Sequence, residues 1–538
     1  MQSGSEVIYQ IYPRSFFDTN GDGIGDLQGI IQKLDYIASL GVNTIWLSPV
    51  YVSPHEDFGY DIADYYHIDP LFGSDEDFAE LIEKAHFLGL KIVMDMVMNH
   101  TSIHHPWFES SARREAPYTD WYIWHPGKGK RRPNNWCSMT GGSGWHFHPV
   151  RKEWFFASFL PFQPDLNYHH PAVRETMFGV AKYWLQKGVD GFRLDIFNVM
   201  IKDTSFKNNP FSLRPIPSET NPNGFFQEMK YTVNHPGNFE LAEGLRAACR
   251  EINPDAFLIG EVFGDTVTLR QYLGDGDGLN YVFLFEMLPY KLKADFFREK
   301  IRKFEQFFPA PYTPTYVFGN HDRIRPISRI GGDILKWKLV VLFQLTARGL
   351  PVIYMGEEIG MEQLRLPLKG AKDPFAIKYN WVPEWIAKKL PEALNRDGSR
   401  TPMQWDNSQN AGFSNAKAPW LPVHFNFLER NVAQQETVPD SLLNWYRCLL
   451  AYRKEFPVLQ QGNIRLIDTS HENQVLAFSR NTETAHVIIY INFSSVEIQE
   501  NIPEGYAVLA STDSAGLSVS GEQLLLPPWS GCLLSVTK

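Results

Sequence analysis

The 538-residue chain predicts an α/β fold: a (β/α)₈ barrel, a loop-rich domain inserted after its third strand, and a C-terminal antiparallel β-domain. Three observations predict it. Eight short apolar runs alternate with amphipathic stretches, the order that gives parallel strands. A stretch rich in Trp, His, Pro and Gly breaks that rhythm at 101–170. From about 457 the texture becomes β-rich runs divided by Gly, Pro, Asn and Ser.

Taken in order, VIYQIY (7–12) reads as the first strand, and Ile30, Ile31, Leu34, Ile37 and Ala38 follow a helical period that Gly41 ends. NTIWLSP (43–49) is the second strand. Phe78, Leu81, Ile82 and Ala85 form the next helical face, and KIVMDMV (91–97) the third strand. A helix over 172–188, with Val173, Met177, Val180, Ala181 and Trp184 on one side, leads into GFRLDIF (191–197). FLIGEVF (257–263), YVFLFE (281–286), TYVFG (315–319) and PVIYM (351–355) complete the eight, and 363–415 is a long irregular excursion after the last. VLAFSR (475–480), HVIIYINF (486–493), YAVLAS (506–511) and CLLSVT (532–537) build the terminal domain. The expected divisions are barrel over 1–100 and 171–456, inserted domain over 101–170, and β-domain over 457–538.

Composition narrows the function. With 51 basic and 61 acidic residues the net charge is −10, which disfavours a general nucleic-acid or anionic-membrane binder. The basic run Lys128 to Arg132 reads as a solvated loop. Cysteines at 137, 249, 448 and 532 offer neither a CxxC pair nor a zinc spacing, so free thiols in a reducing compartment are expected. MQSGSEVIYQIYPRSF lacks the basic and apolar regions of a signal peptide, and no run of 18 apolar residues occurs. The expected location is the cytoplasm. The 14 % aromatic content is compatible with sugar binding and equally with a large core.

Barrel chemistry sits at the C-terminal ends of the strands. Asp95, Asp195 and Glu261 fall late in the third, fourth and fifth strands, and Asp322 follows the seventh. A carboxylate in an apolar strand is costly unless paired or functional. Arg193, two residues before Asp195, lies on the same strand face and favours its ionised form. Paired carboxylates are the machinery of glycoside hydrolysis, and one alone is equally well a barrel ion pair.

DMVMNH (95–100), GFRLDIFN (191–198), GEVF (260–263) and FGNHD (318–322) resemble, in order, the four signature regions of glycoside hydrolase family 13, the α-amylase family. QPDLN (163–167), IYQIYPRSFFDTNGDGIGDLQGI (8–30) and RTPMQWD (400–406) are similar to its oligo-1,6-glucosidase and α-glucosidase branch. The resemblance implies a TIM barrel and a retaining double displacement. Asp195 would be the nucleophile, Glu261 the general acid and then base, and Asp322 the carboxylate holding the 2- and 3-hydroxyls. Arg193 would orient Asp195, and His100 and His321 would hydrogen-bond the bound glucose. DFGY implies that Asp57 binds the terminal 4- and 6-hydroxyls and that Tyr60 stacks on the sugar. Arg400 would pair with Asp57 and close the non-reducing side, giving exo-action. Phe159 would wall the same pocket.

Asp18, Asn20, Asp22, Ile24 and Asp26 have the spacing of a calcium loop, but Gly29 stands where an EF-hand carries its bidentate Glu. The resemblance implies a structural calcium or magnesium ion there, Ile24 giving its carbonyl, and no organic cofactor. Two positions depart from the branch. Ile196 follows the nucleophile where Val, Thr or Ala is usual, which leans towards tolerance of α-1,6 linkages. Thr140 replaces a Phe before the paired glycines of the inserted domain.

The expected activity is release of glucose from the non-reducing end of short α-glucosides, by a monomer or weak homo-oligomer. Alternatives on the same scaffold are sucrose hydrolysis, isomaltulose or trehalose synthesis, and transglucosylation. A non-catalytic homologue serving as a membrane partner would need a transmembrane helix, and a pure carbohydrate-binding module would need neither Asp195 nor Glu261.

Overall fold

The computed structural model describes residues 5–129, 131–387, 394–513 and 516–536. Lys130 in the basic run and Thr537 at the end of the last β-run lie outside the described residues, as do the first four residues.

All eight barrel strands form: β1 (Ile8–Ile11), β2 (Thr44–Leu47), β3 (Lys91–Met96), β4 (Gly191–Leu194), β5 (Phe257–Gly260), β6 (Tyr281–Val282), β7 (Thr315–Val317) and β8 (Leu350–Tyr354). They pair in parallel in the order β6-β5-β4-β3-β2-β1-β8-β7. Each is short and buried on both faces, so the runs are continuously apolar rather than alternating. At the seam between β6 and β7 the Thr315 hydroxyl substitutes for a ladder: it accepts from the Leu284 amide at 2.8 Å and donates to the Val282 carbonyl at 2.9 Å. Ile8, Trp46, Val93, Ile259, Phe283 and Val352 fill the interior.

The single helix expected after β1 is broken in two, Leu27–Gln32 and Leu34–Leu40, at Lys33. Gly41 ends the second in the left-handed region at φ 93°. The helix Asp75–Phe87 starts at a Ser74–Asp77 capping box and buries Phe78, Leu81, Ile82 and Ala85. Pro171–Gln186 buries the five side chains that its periodicity singled out, and Leu185 with them.

The segment 101–170 holds a three-stranded antiparallel sheet, with Glu153–Phe156 between Trp124–His125 and Trp145–His148. A second irregular stretch, 200–236 after β4, had no signal in the sequence reading; it is tied to the inserted domain where the Trp136 indole donates to the Lys207 carbonyl at 2.8 Å. At the C-terminus the first residues past 456 are still helical, Pro457–Gln461, and the sheet begins at Asn463. Five antiparallel strands then face a smaller three-stranded sheet around Val475, Ile488, Leu524 and Leu534.

Candidate active site

Strand pairing carries the acidic residues into place. Asp195 and Glu261, expected late in their strands, each lie one residue beyond a strand end. Their amides continue the parallel ladders: Asp195 N–H donates to the Met96 carbonyl at 3.1 Å and Glu261 N–H to the Leu194 carbonyl at 2.9 Å. Ile196, directly after Asp195, sits in the left-handed region at φ 38°, strained for a β-branched residue. That turn aims the Ile196 amide at Glu261 Oε2, 3.3 Å away.

One guanidinium organises the centre. Arg193, 1 % exposed, places Nη1 at 2.7 Å from Asp95 Oδ1 and 2.7 Å from Asp195 Oδ1, and Nη2 at 2.5 Å from Glu261 Oε2. Trp46 lies 5.1 Å beneath it, ring to cation. Three carboxylates therefore share one positive charge in a buried site. Burial, then the charges of Glu261, Asp95 and Asp322, push the Asp195 carboxyl up against the pull of Arg193. Burial likewise lifts Asp95 to about 6, with Arg193 opposing.

His321 and Tyr60 form the adjoining wall, their rings stacked at 5.4 Å. The Gln10 amide donates to His321 Nδ1 at 2.8 Å, which leaves Nε2 as the protonated nitrogen, 2.8 Å from the Tyr60 hydroxyl; Tyr60 in turn donates to Asp95 at 3.0 Å. Burial lowers His321 to about 3 and His100 to about 4, so both are neutral donors at pH 7. His100 Nε2 lies 3.0 Å from the Tyr60 carbonyl, and its ring 6.0 Å from Phe159.

The expected Asp57–Arg400 pair is corrected by the structure. Arg400 Nη2 binds Asp322 Oδ1 at 2.6 Å, and its Nε donates to the His321 carbonyl. The partner of Asp57 is Arg396, whose Nη2 lies 2.9 Å from Asp57 Oδ1 while Nη1 reaches Asp322 at 3.0 Å. Asp373 fixes this fork, accepting from Nη2 at 2.7 Å and Nε at 3.0 Å. The physical reason is placement: Arg400 is fully buried against Asp322, its guanidinium 5.4 Å from the Tyr12 ring, whereas Arg396, at the start of the short turn Arg396–Gly398, is partly exposed beside Asp57. Burial pushes Asp322 up, but His321, Arg396 and Arg400 outweigh it and hold it well below the carboxylate range. Arg396 and Asp373 had no sequence signal beyond lying in the irregular excursion; Gln163, which donates to Asp57 at 3.1 Å, lay in a quoted motif without a role.

Asp57 gives a pH prediction. Burial lifts its carboxyl to about 6, against Arg396 and Arg400. Below that pH it takes up a proton and loses its charge pair with Arg396, so kcat/KM is expected to fall on an acid limb near pH 6. Stability runs the other way. A carboxyl raised above its unfolded value binds its proton more tightly in the fold, so protonation between about pH 6 and 4 favours the native state. Circular dichroism at pH 5 should show a folded, less active protein; an acid limb that tracks unfolding would refute this.

The proposed metal loop has an all-oxygen donor set of the kind that suits calcium or magnesium. The loop's own amides orient it: Asp18 accepts from Gly21 and Gly23 at 2.8 Å each, Asn20 from Asp22 at 2.9 Å, Asp22 from Ile24 at 2.8 Å, and Asp26 from Gly29 at 2.6 Å. Among the described residues no three His, Cys, Asp or Glu side chains are gathered closely enough to hold a metal by themselves.

The family model described as "Alpha amylase, catalytic domain" matches residues 10–462. A probable alpha-glucosidase of Rhizobium meliloti (strain 1021) is 40 % identical over 515 residues, covering 92 % of this chain and 90 % of that protein. An oligo-1,6-glucosidase of Parageobacillus thermoglucosidasius is 37 % identical over 520 residues, covering 91 % and 90 %. The crystal structure of an alpha-glucosyl transfer enzyme, XgtA, superposes with a TM-score of 0.90 at 35 % identity, covering 100 % of this chain and 99 % of that one.

Proposed function

From the premise that this chain belongs to the alpha-amylase family of glycoside hydrolases, we propose that it is an exo-acting, retaining α-glucosidase of the oligo-1,6-glucosidase type. One observation carries the reading: Asp195 and Glu261 grip different nitrogens of the Arg193 guanidinium, and Arg396 joins Asp57 to Asp322 beside them.

The steps follow from that arrangement. Asp195 attacks the anomeric carbon of a terminal glucose as Glu261 gives its proton to the departing glycosidic oxygen; the C–O bond breaks and a glucosyl ester forms. Glu261, now ionised, takes a proton from water, whose oxygen displaces Asp195 and restores the original configuration. Two carboxylates on one guanidinium are compatible with the short spacing, about 5–5.5 Å, of retaining enzymes. Arg193 stabilises the ionised nucleophile, and the neutral His100 and His321 spend their single N–H groups on the Tyr60 carbonyl and hydroxyl, which fixes that ring in the wall of the site. Asp322, held ionised by Arg396 and Arg400, is suited to accept from the 2- and 3-hydroxyls.

The test is glucose release from maltose, isomaltose, kojibiose, nigerose, trehalose, sucrose and soluble starch, with proton NMR of the first-formed anomer. α-Glucose from maltose or isomaltose with starch untouched is expected; rapid starch cleavage would overturn the closed pocket. A second reading, glucosyl transfer to a sugar or alcohol, is favoured by the likeness to the transfer enzyme and would appear as oligosaccharide at high substrate.

Three accessory features complete the proposal. Asp18, Asn20, Asp22, Asp26 and the Ile24 carbonyl would hold a calcium or magnesium ion as a structural brace; chelation is expected to lower the melting temperature and leave the chemistry unaltered, and protein free of bound metal by elemental analysis would refute the brace. The four cysteines, all free, suit the cytoplasm. Among the described residues no helix is long and apolar enough to cross a membrane. Light scattering is expected to give a monomer or weak oligomer.

A further inference from the structure

We propose that Lys378 is a specificity-determining positioning residue that pins the Thr140–Gly141 turn of the inserted domain across the open, acceptor side of the glucose pocket. The inference rests on the glucosidase reading above and deepens it.

The two ends of the pocket differ. Asp57 and Arg396 close one. At the other, Ile196, next to the nucleophile, belongs to an apolar cluster with Cys137, Met139, Phe159, Phe225 and Met229. With Asp57 and Arg396 closing the other end, the exo reading puts the leaving group, or an incoming acceptor, on this side. The turn after Met139 stands over the cluster: the Thr140 hydroxyl lies 3.2 Å from the Phe159 carbonyl. Gly141 has φ +87°, and a Cβ there would come within 2.6 Å of the Tyr379 hydroxyl and 3.1 Å of the Phe225 ring. Three segments thus meet at this turn: the inserted domain, the irregular stretch after β4, and the excursion after β8.

Lys378 and Tyr379 make the junction. Lys378 Nζ donates to the Thr140 hydroxyl at 2.8 Å and to the Gly141 carbonyl at 2.6 Å, and the Tyr379 hydroxyl donates to the Thr140 carbonyl at 2.6 Å. Lys378 is half-buried and spends its ammonium on neutral oxygens, while burial lowers its pKa. Among the described residues no carboxylate pairs with it, and a desolvated charge spent on neutral oxygens is an expensive way to hold a loop, which argues for geometry rather than stability. The same five-residue helix, Pro374–Lys378, begins at Asp373, the residue that fixes Arg396. At about 1.5 Å per residue it is a strut of roughly 7 Å. It ties the closed, glucose-binding end to the wall on the acceptor side.

The test compares Lys378→Met with Lys378→Arg on maltose, isomaltose and α-glucosyl fluoride. The fluoride has no second sugar to rest on the acceptor side, yet it forms the same glucosyl-enzyme. Lys378→Met is expected to raise KM for both disaccharides about tenfold, the loss of a charged hydrogen bond, and to change the maltose-to-isomaltose ratio. Its kcat/KM on the fluoride should stay within about threefold, and Lys378→Arg should recover most of the disaccharide loss. Thr140→Val, which leaves the Gly141 carbonyl for Lys378, should shift in the same direction by less. Equal losses on all three substrates, or no loss on the disaccharides, would overturn the inference. Should the unaltered protein cleave none of the three, the glucosidase reading itself fails; that outcome is distinct because it precedes any comparison of variants.

Discussion

Asp195→Ala is expected to lower kcat on every α-glucoside by about 10⁵-fold or more, the usual scale for removing a covalent nucleophile. Its stability should move the other way. Asp95, Asp195 and Glu261 crowd one guanidinium, and burial already pushes the Asp195 carboxyl up. Deleting one of three like charges relieves repulsion, so the melting temperature is expected to hold or rise. Arg193→Ala, by contrast, strands three buried carboxylates and should cost about 3–5 kcal/mol. Glu261→Gln separates the two catalytic roles. It cannot protonate a sugar leaving group but keeps Asp195, so a p-nitrophenyl α-glucoside, whose leaving group needs no proton, should still give a burst of nitrophenolate and trap the glucosyl ester, visible by mass spectrometry of the intact protein. A burst from Asp195→Ala, or full turnover by it, would overturn the assignment of the nucleophile.

How much of this was legible in the sequence depends on what the information rests on. The eight strands were readable because each is buried on both faces and bounded by turn residues, so the apolar runs mark them directly. Their ends were not. VIYQIY, GFRLDIF and FLIGEVF each run past the paired residues, since the chain remains apolar where it leaves the ladder to present a side chain. Asp195, Glu261 and Arg193 were accessible because strand order alone brings them together. The β4 loop at 200–236 was missed because its contacts are polar and irregular, such as Trp136 with Lys207, and leave no period. Arg396 and Asp373 were missed for a related reason. Both lie in the excursion after β8, where partner choice is decided by the path of the backbone. The RTPMQWD motif drew the reading to Arg400, and only the three-dimensional course assigns Arg396, four residues earlier, to Asp57 and Arg400 to Asp322.

Replacing those two arginines in turn decides that assignment. Arg396→Ala removes the fork that holds Asp57, Asp322 and Asp373 together. Asp57 then keeps the Gln163 amide and the pull of Arg400 but loses its direct ion pair, so the end of the pocket that binds the terminal glucose opens. Two lost charge-assisted hydrogen bonds at about 1.5–3 kcal/mol each correspond to a fall in kcat/KM for maltose of at least about a hundredfold. The loss should be larger for disaccharides than for maltoheptaose, because an opened end also admits the internal glucoses of a longer chain. Arg400→Ala should behave differently. It frees Asp322 from one of its two guanidiniums and removes the support under the His321 carbonyl, while the Asp57 pair stays intact. Its penalty should fall on kcat and be nearly uniform over chain length. Lys at 396 should restore little, since a point charge cannot bridge three carboxylates as a planar fork does. A chain-length shift in Arg400→Ala and none in Arg396→Ala would return the closure of the pocket to Arg400 and overturn the geometry drawn here.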